Sequence, residues 1–296
     1  MGNWIRWAIV INAVTILSLF YLMVRYAISD GDTYLQYGDR LMAFNSEKER
    51  RFALRAYERA LAAGSWRRVN DPLHAWKGLA KGYLYLKEYR RALDALNEAL
   101  RYDADDPWLW DSKGDAHLAI EDSIQALESY SAAFRLEPEN VGVCQKTGDL
   151  LSDLRRLEEG IRVYKACLAA DSTAAHLAHF WGLIGSLHIQ EKDYAASEAA
   201  LQTALQHDPE RMISWVRLSI LFRSTGRLDE ELDALNRAVL LDNERGVAWF
   251  YRALTRARRG ETELAREDLA MAIRMDSTIV LSARTEPELS FYFEGE

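Results

Sequence analysis

The sequence predicts an all-α protein: one transmembrane helix followed by an array of six to seven helical hairpins. Three observations carry that prediction. Residues 7–24 form a charge-free apolar run, large residues recur at a near-constant spacing from Trp76 to Trp249, and one order of small and large residues follows each of them.

With 49% hydrophobic and 28% charged residues among 296, the chain has ordinary globular composition, which excludes disorder over most of its length. A formal net charge of −8 leaves no basic stripe to neutralise a row of phosphates, so nucleic acid is excluded as a partner. Two cysteines without a CxxC pair exclude a structural zinc site and a disulfide-dense scaffold. The prolines and glycines are spread too thinly to mark a flexible linker, so one continuous architecture is expected behind the first segment.

The run from Trp7 to Val24 measures about 27 Å as a helix, against roughly 30 Å of bilayer hydrocarbon. The stretch Arg25 to Asp30 offers no small-x-small cleavage site and no cysteine follows, so neither a signal peptide nor a lipoprotein fits. Trp4 and Trp7 at one end, with Tyr21 and Tyr26 at the other, suit the two headgroup boundaries. Residues 1–28 are therefore expected to be a retained anchor. Arg6 on one side and Arg25 and Arg40 on the other give only a weak charge bias. A very short head is usually kept inside, which puts the soluble part on the extracytoplasmic, periplasmic side of the cell (inner) membrane. Asn12, Thr15 and Ser18 recur at helical spacing in the run and either face another membrane helix or bond their own backbone.

Beyond the anchor, Trp76, Trp110, Cys144, Trp181, Trp215 and Trp249 are separated by 34, 34, 37, 34 and 34 residues. At offsets of 4, 7, 16, 20 and 23 after Trp76 stand Ala80, Tyr83, Ala92, Leu96 and Ala99; after Trp110 stand Gly114, His117, Ala126, Tyr130 and Ala133. The register holds through Cys144 and Trp181 to Ala253, Ala265, Leu269 and Ala272 after Trp249, and Pro138 and Pro209 fall at one offset past the second helix. The large residue and those three, four and seven later share one helical face, which must be buried. The small residues lie where two antiparallel helices come closest. Glu231 breaks the rule, and a slight rotation bringing Leu232 inward is expected there.

This pattern resembles the tetratricopeptide repeat, and the resemblance covers residues 73–277 as six repeats. A looser hairpin in residues 29–64, built on Tyr34, Tyr37, Gly38 and Leu41 and then Ala53, Tyr57 and Ala60, carries three extra residues in its turn; residues 65–72 connect it, and 278–296 form a C-terminal cap or tail. The resemblance implies a right-handed superhelical solenoid whose first helices line a concave, partner-binding face. Positions one, five and eight after each large residue would face inward. They give a polar early groove of Lys77, Lys81, Asp111, Asp115, Gln145 and Asp149, and an apolar late groove of Val216, Ile220, Phe250 and Leu254, unless the C-terminal end or a closely coiled neighbour repeat covers the latter. The lysine and asparagine set with which some members clamp a terminal carboxylate is missing, since Asp111 and Asp115 replace the lysines in the next repeat.

No catalytic residue, cofactor site or metal site is expected. His176, His179 and His188 are the one histidine grouping, and packing or surface roles explain them better than metal binding. No nucleophile–base order, phosphate loop or dinucleotide fingerprint occurs. Cys144 and Cys167 begin and end one hairpin, so they either form a disulfide or fill small-residue space as free thiols. The function expected is a membrane-anchored scaffold for protein–protein interaction, as subunit or assembly factor of a membrane complex. A membrane-tethered holding chaperone for exported polypeptides is the alternative, and an accessory to a catalytic membrane complex a third.

Overall fold

The structure, a computed structural model, describes residues 31–44, 46–64, 71–170 and 173–293. The proposed anchor, with Asn12, Thr15 and Ser18, lies outside the described residues. Among those described, no helix is long and apolar enough to cross a membrane. They are all-helical, without a strand, and fall into two compact units that divide between Glu137 and Pro138.

The first unit holds three hairpins: α1 (Gly31–Met42) with α2 (Glu47–Ala63), α3 (Asp71–Tyr85) with α4 (Tyr89–Tyr102), and α5 (Pro107–Ala119) with α6 (Ser123–Leu136). The second holds four: α7 (Val141–Asp153) with α8 (Leu157–Ala170), α9 (Ala174–Glu191) with α10 (Tyr194–His207), α11 (Met212–Ser224) with α12 (Leu228–Leu241), and α13 (Gly246–Arg258) with α14 (Thr262–Met275). A short α15 (Ile279–Thr285), a 3-10 turn (Pro287–Leu289) and α16 (Ser290–Phe293) close the chain.

Each hairpin after the first turns in one way. Lys87, Glu121, Arg155, Lys192, Gly226 and Gly260, all eleven residues after the repeat's large residue, adopt φ between 59° and 79°. The next backbone N–H in each case donates back to a carbonyl of the first helix's last turn, as from Glu88 to Tyr83 at 2.9 Å and from Arg227 to Phe222 at 2.9 Å. That left-handed closure satisfies carbonyls the helix end would leave orphaned. The tryptophans fix the other end. The indole N–H of Trp110, Trp215 and Trp249 donates to the carbonyl six residues earlier, Ala104, Pro209 and Asn243, at 2.8–3.0 Å. Cys144 stands where the indole would be and is joined to Cys167 by a disulfide with Cα atoms 6.2 Å apart. Such a bridge typically stabilises by about 2–4 kcal/mol.

Small residues set the helix spacing as the pattern demands. In three hairpins a tyrosine ring of the second helix lies directly over a glycine of the first: Tyr57 over Gly38, Tyr130 over Gly114 and Tyr164 over Gly148, where an added methyl would collide with the ring. The buried set is dominated by alanine at the offsets read from sequence, including Ala80, Ala92, Ala126, Ala133, Ala204, Ala238, Ala265 and Ala272.

Glu231 corrects the sequence reading. No rotation brings Leu232 into its place; the carboxylate itself is buried, accepting from Thr255 Oγ1 at 2.7 Å and facing Arg258 at 3.4 Å. Burial raises its pKa, against the Thr255 hydrogen bond and the arginine charges. A second buried carboxylate, Asp268, takes two 2.8 Å hydrogen bonds from Arg252 and one from Arg256.

Candidate functional site

The inward positions of the first helices divide by unit. In the first, Lys77 pairs with Asp106, and Lys77 and Lys81 place their ammonium groups 5.8 and 4.9 Å from the Trp108 ring. Asp115 accepts from the Tyr130 hydroxyl at 2.7 Å, and Asp111 is half-buried and also engaged. A cavity of about 340 Å³ lies beside them, lined by Asp39, Tyr57, His74, Lys77 and Lys81 among others; Asp39 takes Tyr57 and His74 at 2.8 and 2.9 Å. These inward polar groups of the first unit thus largely satisfy one another.

The second unit is different. Gln145 and Asp149, both predicted, come together with three residues that were not: His179, Arg211 and Arg217. His179 contacts Gln145 Oε1 through Nε2 at 3.1 Å and takes Arg211 Nη2 on Nδ1 at 2.9 Å, so Nδ1 accepts and Nε2 donates. That tautomer is neutral, in keeping with a pKa lowered to about 4 by burial and by the charges of Arg211 and Arg217. Asp149 accepts from the Tyr164 hydroxyl at 2.6 Å and lies near Arg217 without a hydrogen bond to it. Arg217 Nη1 and Arg211 Nε are buried with no acceptor, as is the hydroxyl of Ser214. Burial and the neighbouring Arg211 charge both lower the Arg217 pKa.

Two adjacent guanidinium groups therefore carry buried N–H donors that the protein does not use. Such donors normally find partners, and guanidinium geometry matches a carboxylate or phosphate. Gly182 makes the space. It stands one position after Trp181, and the Arg217 head lies over it so closely that a Cβ there would come within 2.7 Å of Nη1. That glycine at an inward position was the readable signal. Arg211 and Arg217, four before and two after Trp215, lie off the positions that the repeat geometry singles out.

The apolar late groove is a correction. Val216, Phe250 and Leu254 are buried, and Ile220 is half-buried against the same packing. Val216 packs among Met212, Ala238, Val239 and Ala248. Phe250 and Leu254 are covered by Ile279, Ala283 and Leu289 of the closing segment, with Phe291 and Tyr292 at the edge. Apolar side chains at inward positions were spent on capping the array. The histidines also part company: His188 pairs with Glu191 at 3.0 Å, away from the His179 contacts. Among the described residues, no grouping of three or more His, Cys, Asp or Glu could hold a metal ion.

These features define an array of paired helices built on one repeating unit. A tetratricopeptide repeat family model matches residues 183–245, and the chain carries repeats of that type. No curated protein matches the chain in sequence. Among solved structures, it is similar to a tetratricopeptide repeat protein from Parabacteroides merdae, at 12% identity and TM-score 0.61 over 89% of this chain and 100% of that one. It is also similar to Pseudomonas aeruginosa pilF, at 15% identity and TM-score 0.53 over 77% and 99%. A third is the C-terminal part of a TPR repeat-containing protein from Cytophaga hutchinsonii, at 12% and 0.52 over 72% and 86%. At these identities the likeness is one of fold.

Proposed function

We propose that the chain is a membrane-tethered scaffold whose second unit holds an acidic segment of a partner protein across Arg211 and Arg217, as a subunit or assembly factor of a membrane complex. The observation that carries this is the pair of buried, acceptor-free guanidinium donors beside Gln145 and His179. A partner carboxylate would satisfy them and relieve the repulsion between the two cations. The tether rests on the charge-free run Trp7–Val24. It would present the site to partners in the same membrane at an effective concentration near mM. The Cys144–Cys167 disulfide supports an extracytoplasmic placement, because such bonds persist in oxidising compartments. The holding-chaperone alternative is weakened by the covering of Val216, Phe250 and Leu254, the apolar surface it would have used.

The test is extraction of the full-length chain in mild detergent, followed by sizing and mass spectrometry of what accompanies it. Integral membrane partners in fixed ratio are expected for the wild type, and their loss for Arg211→Ala/Arg217→Ala. A lone monomer, or a shifting set of exported proteins indifferent to that variant, would sink the scaffold reading in favour of the chaperone.

A further inference from the structure

The open end of the first hairpin carries a surface that the scaffold site does not use. Along α1, Tyr37 is 55% exposed and Arg40 stands one turn on; along α2, Phe52 is 43% exposed, with Arg55 and Arg59 following on the same face. Together with Tyr34 they line a groove of about 510 Å³ that has no acidic residue in its wall. Among the described residues, none of the three arginines makes a hydrogen bond or ion pair; Arg55 only overhangs the Phe52 ring at 5.8 Å. Three acids of these helices are engaged elsewhere, Glu47 with Arg51, Glu58 with Tyr83 and Asp39 with Tyr57, and neither Asp32 nor Glu49 lines the groove. In a chain of net charge −8, three cations without a partner among the described residues, set among exposed aromatic rings on one face, call for an anionic counterpart.

The chain's connection indicates what that counterpart is. Six residues, Arg25 to Asp30, separate the apolar run from the start of α1, a reach of about 20 Å at most. The face thus lies beside the headgroup layer whenever residues 7–24 span the bilayer; the inference rests on that reading. Phosphate oxygens suit guanidinium donors, and tyrosine and phenylalanine rings suit the interface. The apolar run itself contains no acid and cannot neutralise the arginines by folding back.

We propose that the α1–α2 face, through Arg40, Arg55 and Arg59 with Tyr34, Tyr37 and Phe52, docks on anionic phospholipid headgroups and so fixes the orientation of the first unit on the membrane. The test uses the full-length chain in nanodiscs of phosphatidylcholine alone, or mixed with phosphatidylglycerol, and in detergent. A thiol introduced by Tyr37→Cys is modified with a membrane-impermeant maleimide, and Leu240→Cys, 74% exposed in the second unit, serves as control. Modification at position 37 should slow about tenfold or more in the phosphatidylglycerol discs only, since each basic residue at an anionic surface is worth roughly a fivefold factor. Position 240 should not change, and Arg40→Glu/Arg55→Glu/Arg59→Glu should restore the fast rate. Equal rates at position 37 in all three media overturn the proposal. So does slowing in detergent that grows with protein concentration, which would make the face an interface between copies of this chain. If the chain does not remain with the discs, the tether reading fails by itself, and vesicle flotation then decides. Flotation with phosphatidylglycerol vesicles that the triple variant loses upholds the surface, and its absence overturns it.

Discussion

The Tyr164 hydroxyl donates a 2.6 Å hydrogen bond to Asp149 across the α7–α8 hairpin, while its ring covers Gly148. The same arrangement recurs as Tyr130 with Asp115 and Gly114, and as Tyr57 with Asp39 and Gly38. Burial, then the carboxylate, raises each of these tyrosine pKa values, so the hydroxyls stay protonated and donating at any physiological pH. Tyr164→Phe removes a hydrogen bond to a charged acceptor and should lower stability by about 1–2 kcal/mol. Gly148→Ala should cost more, about 1–3 kcal/mol, because the ring has no space to yield. Urea denaturation of both variants checks the order.

The glycine and tyrosine of this arrangement were legible as repeat positions, but not the acid that joins them. Asp39, Asp115 and Asp149 fall on the inward face, where an acid reads equally well as solvated or as a ligand contact. The helices were readable because a period of 34 with alanines at fixed offsets leaves little freedom in register. Burial of Phe250 and Leu254 was readable only as an alternative, because it depends on a closing segment with no repeat pattern of its own, and Val216 is buried instead by Ala238, Val239 and Ala248 of the helices that follow it. The guanidinium site was equally hidden: Arg211 stands at the start of α11 and Arg217 within it, and both meet His179 of α9 only once adjacent hairpins are stacked.

In the last hairpin, Asp268 is buried between Arg252 and Arg256, so it is the sole counter-charge at the heart of that triad. Asp268→Ala would leave two inward-facing cations uncompensated and should destabilise by about 3–5 kcal/mol. Asp268→Asn keeps the shape and some hydrogen bonding and should lose less. Thermal melts followed by circular dichroism, with hydrogen exchange over 246–275, separate the two outcomes. Equal melting of wild type and Asp268→Ala would mean that the triad contributes nothing net.

The left-handed turn positions give a paired prediction of opposite sign. At Gly226 and Gly260, φ is 74° and 79°, so alanine there should cost about 1 kcal/mol through backbone strain. Lys87, Glu121, Arg155 and Lys192 already hold the same conformation with a Cβ present. Lys87→Gly should therefore relieve strain and be neutral or stabilising by a few tenths of a kcal/mol, the relief being offset by greater freedom of the unfolded chain. Shifts in chemical denaturation midpoint at fixed slope are the readout, and a stabilising Gly260→Ala would contradict the argument.

His179 makes stability depend on pH in a definite direction. Its folded pKa is lowered to about 4 by burial first and by Arg211 and Arg217 second, with Asp149 opposing and His176 adding a little; the ordinary value is 6.5. Above 6.5 both states are neutral and the contribution is intact. As the pH falls through 6.5 toward 4, the unfolded chain binds a proton that the folded one resists, so stability declines across that window. The linkage amounts to at most about 3 kcal/mol for a shift of this size, and less in a half-buried site. His179→Gln retains donor and acceptor capacity but cannot titrate. Wild type should lose about 1–3 kcal/mol more than His179→Gln between neutral pH and pH 4.5, measured by urea titration of each. An acidic peptide seated between Arg211 and Arg217 would offset the two charges that help depress this pKa, so saturating it should shrink the difference between the two proteins. A difference that persists unchanged at saturation would place the peptide away from His179, and with it away from the guanidinium pair.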